Sequence, residues 1–433
     1  VRVCVVGSGG REHALAHVLS RTAEVVVTPG NPGMAAPIEV TDAPASEVTA
    51  DLFVIGPEAP LVDGMADRLR EQGKAVFGPG ADGALLEGSK AFMKEVLDSA
   101  GVPTARFAAF DARQKVEAMA FLDTMPGPWV IKTDGLAAGK GVLVTESIQE
   151  ARADVAAKFS GSFGDAGRSI VIEEGLAGEE CSLLVLCDGT GAVPLLPAQD
   201  FKRVGDGDRG PNTGGMGSYA PMPHVGADLV DECMERAVLP LVAELRRRGI
   251  EYRGVLYAGL MLGAEGPKVI EYNVRFGDPE TQVVLPLLSS DLAELCRAVA
   301  VGHLDDGPTP TFSPGAAVCV VLASPGYPDA PRTGDTIGGL DNFGQSTATS
   351  EGVTVFHAGT SRPRPDGPFQ TAGGRVLAVT AVAGNVREAR ALAYAAAEPI
   401  EWDGMVLRHD IAAAVVEGAA GDGASGMVHE AAL

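Results

Sequence analysis

The sequence has no Cys-x-x-Cys pair. Its six cysteines (Cys4, Cys181, Cys187, Cys233, Cys296 and Cys319) stand apart, mostly inside apolar runs, with no histidine cluster beside them. That spacing supports neither a zinc site nor a disulfide framework, and predicts buried free thiols in a reducing compartment. No apolar run approaches the roughly 20 residues of a membrane span. The opening run, residues 1–6, is too short and too soon interrupted for a signal peptide, so a cytoplasmic location is expected. Aromatic residues make up 5% of a chain that is 46% hydrophobic, so its core must be built from Ala, Val and Leu. Basic residues are scarce too: 34 Lys and Arg stand against 57 Asp and Glu, a formal net charge of −23. Such a balance excludes phosphate-backbone binding to nucleic acid and docking on an anionic membrane. If the substrates are anionic, the few cations must be gathered where they bind.

What is present is a β-turn-α rhythm over a length that suggests two to four domains. Residues 1–6 read as a buried parallel strand, GSGG (7–10) as a turn, and residues 11–19 as a helix. Strands at 24–28 and 51–55 and a helix at 62–72 complete a doubly wound α/β unit over residues 1–88. Ser89 is the expected N-cap of a helix with its apolar stripe at Phe92, Met93, Val96, Leu97 and Ala100, closed by Gly101. Residues 128–132 and 142–144 are strands around a glycine-rich tip, a hairpin and not a crossover. Strands are also expected at 169–174, 180–187, 255–261 and 268–273, with a helix at 227–248. The stretch 199–217 holds six glycines and one large aliphatic residue, Val204, and is expected to be a mobile loop. After a proline-rich linker at 308–314 a β-rich unit runs to about residue 414, and the Gly/Ala/Ser tail from Glu417 is expected to be disordered. The division is then 1–88, 89–307 with a small lid subdomain at about 108–176, 308–416, and the tail 417–433. The class is multi-domain α/β, with a β-rich C-terminal unit.

The most informative segment is EYNVRFGDPE (271–280), which follows an apolar strand. Alternation puts Glu271, Asn273 and Arg275 on one face. A carboxylate and an amide oxygen suit a hard cation that takes its remaining ligands from phosphate and water, and a guanidinium fork suits a phosphoryl group. A surface Glu–Arg pair is the plain alternative. The second segment, KTDGLAAGKG (132–141), combines small residues with two lysines, a composition that closes over phosphates; its spacing is not that of a P-loop, and a strand follows it. GSGGREH (7–13) is a weak dinucleotide fingerprint, explained equally well by tight strand–helix packing, although a helix N-terminus with Arg11 suits a phosphate. EEGLAGEE (173–180) offers acceptors for a purine and a ribose, or is a solvated turn. Asp200, Lys202 and Arg203 lie on the expected loop.

Together these segments resemble the phosphoribosylamine–glycine ligases (glycinamide ribonucleotide synthetases), ATP-grasp enzymes of purine biosynthesis. The resemblance is carried by GSGGREHAL (7–15), VIGPEAPLV (54–62), LEGSKAF (86–92), IKTDGLAAGKGV (131–142), QDFKRVGDGDRGPNTGGMG (199–217), EYNVRFGDPETQ (271–282), FHAGT (356–360) and GGRVLAVTA (373–381), in consistent order from residue 1 to about 412. It implies an ATP-grasp fold and the ligation of glycine to 5-phosphoribosylamine through a glycyl phosphate. It implies Mg²⁺ (or Mn²⁺) on Glu271 and Asn273. ATP phosphates fall to Lys132 and to the loop of Gly135, Gly139, Lys140 and Gly141, with Lys90 beneath the nucleotide. Glu173, Glu174 and Leu176 form the adenine hinge, and Glu180 takes the ribose. On the substrate side stand Gly9, Gly10, Arg11, Glu12 and Glu58, together with Lys202, Arg203, Asn212 and Asp278.

Catalysis then rests on Arg275 and Lys132 at the phosphoryl group, with Asp200 or Asp278 holding the glycine ammonium and the lysine hairpin and the 199–217 loop closing as lids. Two departures stand out: Gly175 replaces an aromatic after the hinge glutamates, and residues 258–262 carry no third acidic ligand. A monomer or weak homodimer is expected, with small-molecule partners only. The rivals are an ATP-grasp carboxylase, disfavoured by FKRVGDGD and GGREH, an NAD-dependent oxidoreductase, which leaves 131–142 and 271–280 unexplained, and a non-catalytic binding protein, which has no need of the Glu–Asn–Arg strand.

Overall fold

The computed structural model describes residues 1–135, 141–162 and 169–418. The β-branched opening forms β1 (Arg2–Gly7), and helix α1 (Gly10–Leu19) follows its turn. Strands β2 (Glu24–Pro29), β3 (Glu39–Val40), β4 (Leu52–Ile55) and β5 (Ala75–Phe77) join it in a parallel sheet of order β3-β2-β1-β4-β5. Its central strands are apolar throughout because both faces are covered. The helix expected at 62–72 is two helices, α2 (Glu58–Val62) and α3 (Met65–Glu71). Gly64, at φ 75°, supplies the left-handed residue that ends one and restarts the other. Helix α4 (Ala81–Gly88) closes this unit.

Helix α5 (Lys90–Ala100) follows its sequence signals: Ser89 Oγ accepts the Phe92 N–H at one end, and Gly101, at φ 66°, ends the other. Then come β6 (Phe107–Asp111), α6 (Lys115–Leu122), β7 (Trp129–Thr133), β8 (Val142–Thr145), α7 (Ile148–Ala157) and β9 (Ser169–Glu174). Their antiparallel sheet, β6-β9-β7-β8, has a small core of its own around Leu122, Trp129, Ile131 and Val155. β7 and β8 pair as the expected hairpin.

Strands β10 (Glu179–Asp188) and β11 (Ala192–Pro194) belong to a third sheet, discussed below. The stretch expected to be a loop at 199–217 is instead four short strands: β12 (Gln199–Asp200), β13 (Arg203–Gly205), β14 (Arg209–Asn212) and β15 (Gly217–Ala220). β13 and β14 form a two-stranded ribbon, while β12 and β15 enter the C-terminal sheet. The local composition misleads because β15 takes its second partner from residues 317–320, far along the chain. Helices α8 (Ala227–Cys233) and α9 (Leu239–Arg247) lead to β16 (Arg253–Gly263) and β17 (Gly266–Asn273), which complete the third sheet as β11-β10-β16-β17.

After β17 the chain turns through residues 274–280 into α10 (Thr281–Leu287) and α11 (Leu292–Val301). The last sheet adds β18 (Ala316–Ala323) and β19 (Val353–His357), and, beyond the ribbon of β20 (Thr360–Ser361) and β21 (Gln370–Thr371), β22 (Arg375–Ala383). Its order is β12-β15-β18-β22-β19, packed by α12 (Val386–Ala397). Residues 413–418 are helical, so the expected disorder does not begin at Glu417; the rest of the tail lies outside the described residues. All six cysteines are free and buried, and burial pushes the thiols up, Cys4 to about 12 and Cys233 to about 11. Among the described residues no helix is long and apolar enough to cross a membrane.

One core contact ties the first sheet to the loop after β17. Phe276 stacks on Phe77 of β5, with centroids 5.6 Å apart and rings 15° from parallel, and the Phe276 carbonyl accepts from Arg11 Nη1 at 3.1 Å. Phe276→Ala is expected to lower the unfolding free energy by about 3–5 kcal/mol, read by chemical denaturation; a loss below about 1 kcal/mol would show that the contact is not part of the core.

Candidate active site

A cavity of about 1000 Å³ lies where the sheets meet, lined by β7 and β9 on one side, β16 and β17 on another, and residues of α2, α4 and β22 at its edges. Its central feature is a carboxylate shared by two ammonium groups. Glu173 on β9 receives Lys94 Nζ of α5 at 2.9 Å on Oε2 and Lys132 Nζ of β7 at 3.0 Å on Oε1. All three side chains are buried. Lys94 also donates to Thr104 Oγ1 at 2.7 Å, and Lys132 to the Ile270 carbonyl of β17 at 3.2 Å. Burial pushes the Glu173 carboxyl up, but Lys132 and Lys94 outweigh it and hold it below its ordinary range. One carboxylate cannot compensate two ammonium groups fully. Burial therefore wins at Lys94, which is lowered to about 8. Glu173, expected at an adenine hinge, thus has both oxygens committed to lysines. Its neighbour Glu174 accepts the Arg106 N–H at 2.9 Å.

On β17, Glu271 faces the same cavity. Among the described residues its carboxylate has no hydrogen-bond or ion-pair partner, yet burial is outweighed by Lys202, Lys132, Lys90 and Arg275, which hold it ionised. Asn273 Oδ1 accepts from Arg275 Nη2 at 3.2 Å. Arg275 lies just past the strand, between Glu87 of α4 (2.9 Å) and Glu58 of α2 (3.3 Å). Among the described residues no group of three or more His, Cys, Asp and Glu side chains is placed to hold a metal. The donors present, one free carboxylate and one amide oxygen, fit a hard cation that draws most ligands from phosphate and water.

The apolar part of the cavity comes from Pro128, Val130, Leu176, Met261 and Ile270. Gly175 has no room for the aromatic ring expected there: its N–H donates to the Pro128 carbonyl at 2.7 Å, and a Cβ would stand 2.4 Å from Pro128 Cγ. Glu180 at the rim pairs with Lys202 at 2.8 Å. Lys90 Nζ donates to the Gly135 carbonyl at 3.3 Å, and Gly141 lines the cavity. Gly139 and Lys140 lie outside the described residues.

At the opposite end a polar network surrounds Asp200. Glu280, buried, accepts from Tyr257 Oη at 2.5 Å and from Ser182 Oγ at 3.1 Å. Asp200 Oδ1 is buried without a partner among the described residues, and burial followed by repulsion from Glu280 raises its carboxyl well above the ordinary value. Asp278 is already paired, with Arg375 of β22 at 2.9 Å and with Gln282 Nε2 at 2.7 Å. Arg203 and Asn212 line this end. Arg11 and Glu58 also reach the cavity, whereas Glu12 sits behind them, accepting the Gly9 N–H and Arg11 Nε, each at 2.6 Å. A Cβ at Gly56 would stand 2.1 Å from Glu12 Oε1, which is the requirement behind that glycine. Gly10 faces Gln282 instead. Sequence reasoning gave no role to Glu87, Glu280 or Arg375, although each stands inside a segment it singled out; what was missing was their partners.

Family models for phosphoribosylglycinamide synthetase match the chain in three consecutive parts: the N domain over residues 1–87, the ATP-grasp (A) domain over 88–281 and the C domain over 317–414. A phosphoribosylamine–glycine ligase of Streptomyces coelicolor is 48% identical over 427 residues, covering 95% of this chain and 99% of the relative. The Escherichia coli O157:H7 protein of the same name is 46% identical over 434 residues, covering 96% and 99%. The crystal structure of phosphoribosylamine–glycine ligase from Thermotoga maritima superposes with a TM-score of 0.81 at 36% identity, over 95% of this chain and all of that one. The biotin carboxylase domain of Hydrogenobacter thermophilus 2-oxoglutarate carboxylase, solved with MgADP and bicarbonate, shares the fold at 18% identity, with a TM-score of 0.69 over 94% of this chain and 91% of that one.

Glu173→Gln leaves two ammonium groups buried without their shared anion, and is expected to cost about 3–5 kcal/mol of stability. The carboxyl is held below its ordinary value of 4.5, so its stabilisation is complete above that pH and is lost as pH falls through the folded value. Denaturation at several pH values should therefore show a flatter acid limb in the variant than in the parent; parallel limbs would contradict the pairing.

Proposed function

This chain belongs to the phosphoribosylglycinamide synthetase family, and from that premise we propose how the residues of its cavity divide the work. Its activity is the ATP-dependent ligation of glycine to 5-phosphoribosylamine, the glycinamide ribonucleotide synthetase step of purine biosynthesis, and its ATP-grasp domain binds ATP. The observation that carries the assignment is Glu271: a carboxylate without a partner among the described residues, with its charged form favoured by surrounding cations, in the cavity that also holds Lys132 and Arg275.

In this reading adenine lies among Val130, Leu176, Met261 and Ile270, and the phosphates point toward Lys132 and Lys90. Glu271 and Asn273 would hold Mg²⁺, which when bound neutralises phosphate charge. A carboxylate is a poor electrophile, so an oxygen of glycine first attacks the γ-phosphorus and ADP leaves. The amine of phosphoribosylamine then attacks the acyl carbon, loses a proton, and phosphate departs. Arg275, pre-aligned by Glu58 and Glu87, neutralises the transferring phosphoryl group without having to reorganise. Of the two candidates for the glycine ammonium, Asp200 is favoured, because Asp278 is committed to Arg375 while Asp200 Oδ1 has no partner among the described residues. A bound ammonium would supply Asp200 with the direct counter-charge that Lys202 and Arg375 give it only at a distance. The same reading takes residues 1–88, 89–307 and 308–416 as the units that close around the cavity, the first and last furnishing the substrate side.

The deciding assay is ADP release from ATP, expected only when glycine and phosphoribosylamine are both present; release that needs bicarbonate instead of glycine would refute the reading. Arg275→Ala is expected to reduce kcat by about 10³-fold or more while MgATP affinity stays within about threefold, measured by steady-state kinetics and calorimetry. Glu271→Gln is expected to shift the Mg²⁺ activation curve to roughly tenfold higher concentration; an unchanged curve would remove Glu271 from the metal site.

A further inference from the structure

The ribbon β13–β14 is too small to hold itself. It has two strands and an irregular register, and its turn uses left-handed backbone at Gly207 (φ 66°) and at Asp208 (φ 54°), a conformation a non-glycine residue adopts at a cost. Its support comes from residues 408–410. Arg408, whose side chain is 1% exposed, directs Nη1 to Asp208 Oδ1 at 2.6 Å and to the Arg203 carbonyl at 3.2 Å. Its Nε and Nη2 each reach one oxygen of Asp410 at 2.7 Å, and its guanidinium lies 5.0 Å from the centroid of the Phe201 ring. Asp410 Oδ2 also accepts the Gly207 N–H at 2.8 Å, and Asp206 accepts the His409 N–H at 2.7 Å. The turn 206–208 is therefore closed from outside.

The groups held in this way face the cavity, although Phe201 also packs against the core. Phe201, Arg203, Asp208 and Asn212 all line the cavity, at the end where Asp200, Asp278 and Arg375 meet. A buried arginine that served stability alone would be expected to clamp core elements, whereas this one clamps a cavity wall. We propose that Arg408 is a positioning residue for the ligation, fixing the 203–212 ribbon as the wall against which phosphoribosylamine and glycine bind. The proposal rests on the assignment of the cavity made above. It replaces a lid that closes freely with a wall strapped from the far end of the chain.

Three variants test it: Arg408→Gln; Arg408→Lys, which keeps a charge for Asp208 but cannot bridge both Asp410 oxygens; and Asp206→Ala, whose side chain is 51% exposed. For each, KM is measured for all three substrates, together with the melting temperature and amide hydrogen exchange across 203–212. In Arg408→Gln, KM for phosphoribosylamine or glycine should rise by about tenfold or more, with KM for ATP within about twofold. Asp206→Ala should show about a threefold rise, and Arg408→Lys a value between parent and Arg408→Gln. Exchange should quicken in 203–212 and not in the parallel sheet. Unchanged KM values in folded variants would overturn the proposal, as would losses equal for all three substrates that track melting. Should Arg408→Gln not fold, the other two variants decide by the same readout. A parent protein that releases ADP without glycine or phosphoribosylamine sinks the cavity assignment; a parent that passes beside unaltered variants sinks only the strap.

Discussion

The arrangement of the cavity depends on one buried anion. Glu173 fastens α5 and β7 to β9, and its two lysine partners go on to grip Thr104 and the Ile270 carbonyl at the base of β17. One helix and three strands from two sheets are thereby tied together through one carboxylate. A buried ion pair is not in itself a strong stabiliser, because desolvation offsets most of the attraction. Its value here is geometric. Two ammonium groups that share one carboxylate in water-poor surroundings keep unspent positive potential, and Lys132 directs it at the place where ATP phosphates are proposed to lie.

The same economy explains how a chain with a net charge of −23 handles polyanionic substrates. Its cations are few, and those that matter are not free. Arg275 is flanked by Glu58 and Glu87, Arg375 by Asp278, and Lys202 by Glu180. Each carboxylate costs some positive potential, but it fixes a long side chain that would otherwise lose entropy on meeting substrate. Asp200 and Glu271 break the pattern. Among the described residues Asp200 Oδ1 and the Glu271 carboxylate lack partners, and both stand where the proposed function calls for a cationic ligand.

Much of this was legible in the sequence where the signal is local. The β-branched run of β1, the Ser89 cap with Gly101 at the other end of α5, and the β7–β8 hairpin each depend on neighbours within a few residues. EYNVRFGDPE also announced its chemistry, since three polar side chains after an apolar strand need a reason to be there. What stayed hidden has partners distant in sequence. The 199–217 stretch looked structureless because β15, at its end, pairs with β18 and its ribbon is held by Arg408. The family resemblance implied a hinge role for Glu173, and nothing near it in sequence reveals Lys94. The helix expected at 62–72 was misjudged for a different reason: its apolar spacing continues through Asp63 and Gly64, and a single left-handed glycine outweighs it.

The C-terminal sheet has a bearing on how the chain comes into being. β18 pairs on one side with β22, but on the other with β15, made about a hundred residues earlier. The family models place β15 and β18 in separate modules, yet the backbone hydrogen bonds run across that boundary. As the polypeptide leaves the ribosome, β15 must wait with an unsatisfied edge until β18 emerges, and a fragment beginning after residue 315 would present β18 as an open strand to any other chain. The sheet is thus begun by one family module and completed by the next, so neither holds all of its strands alone.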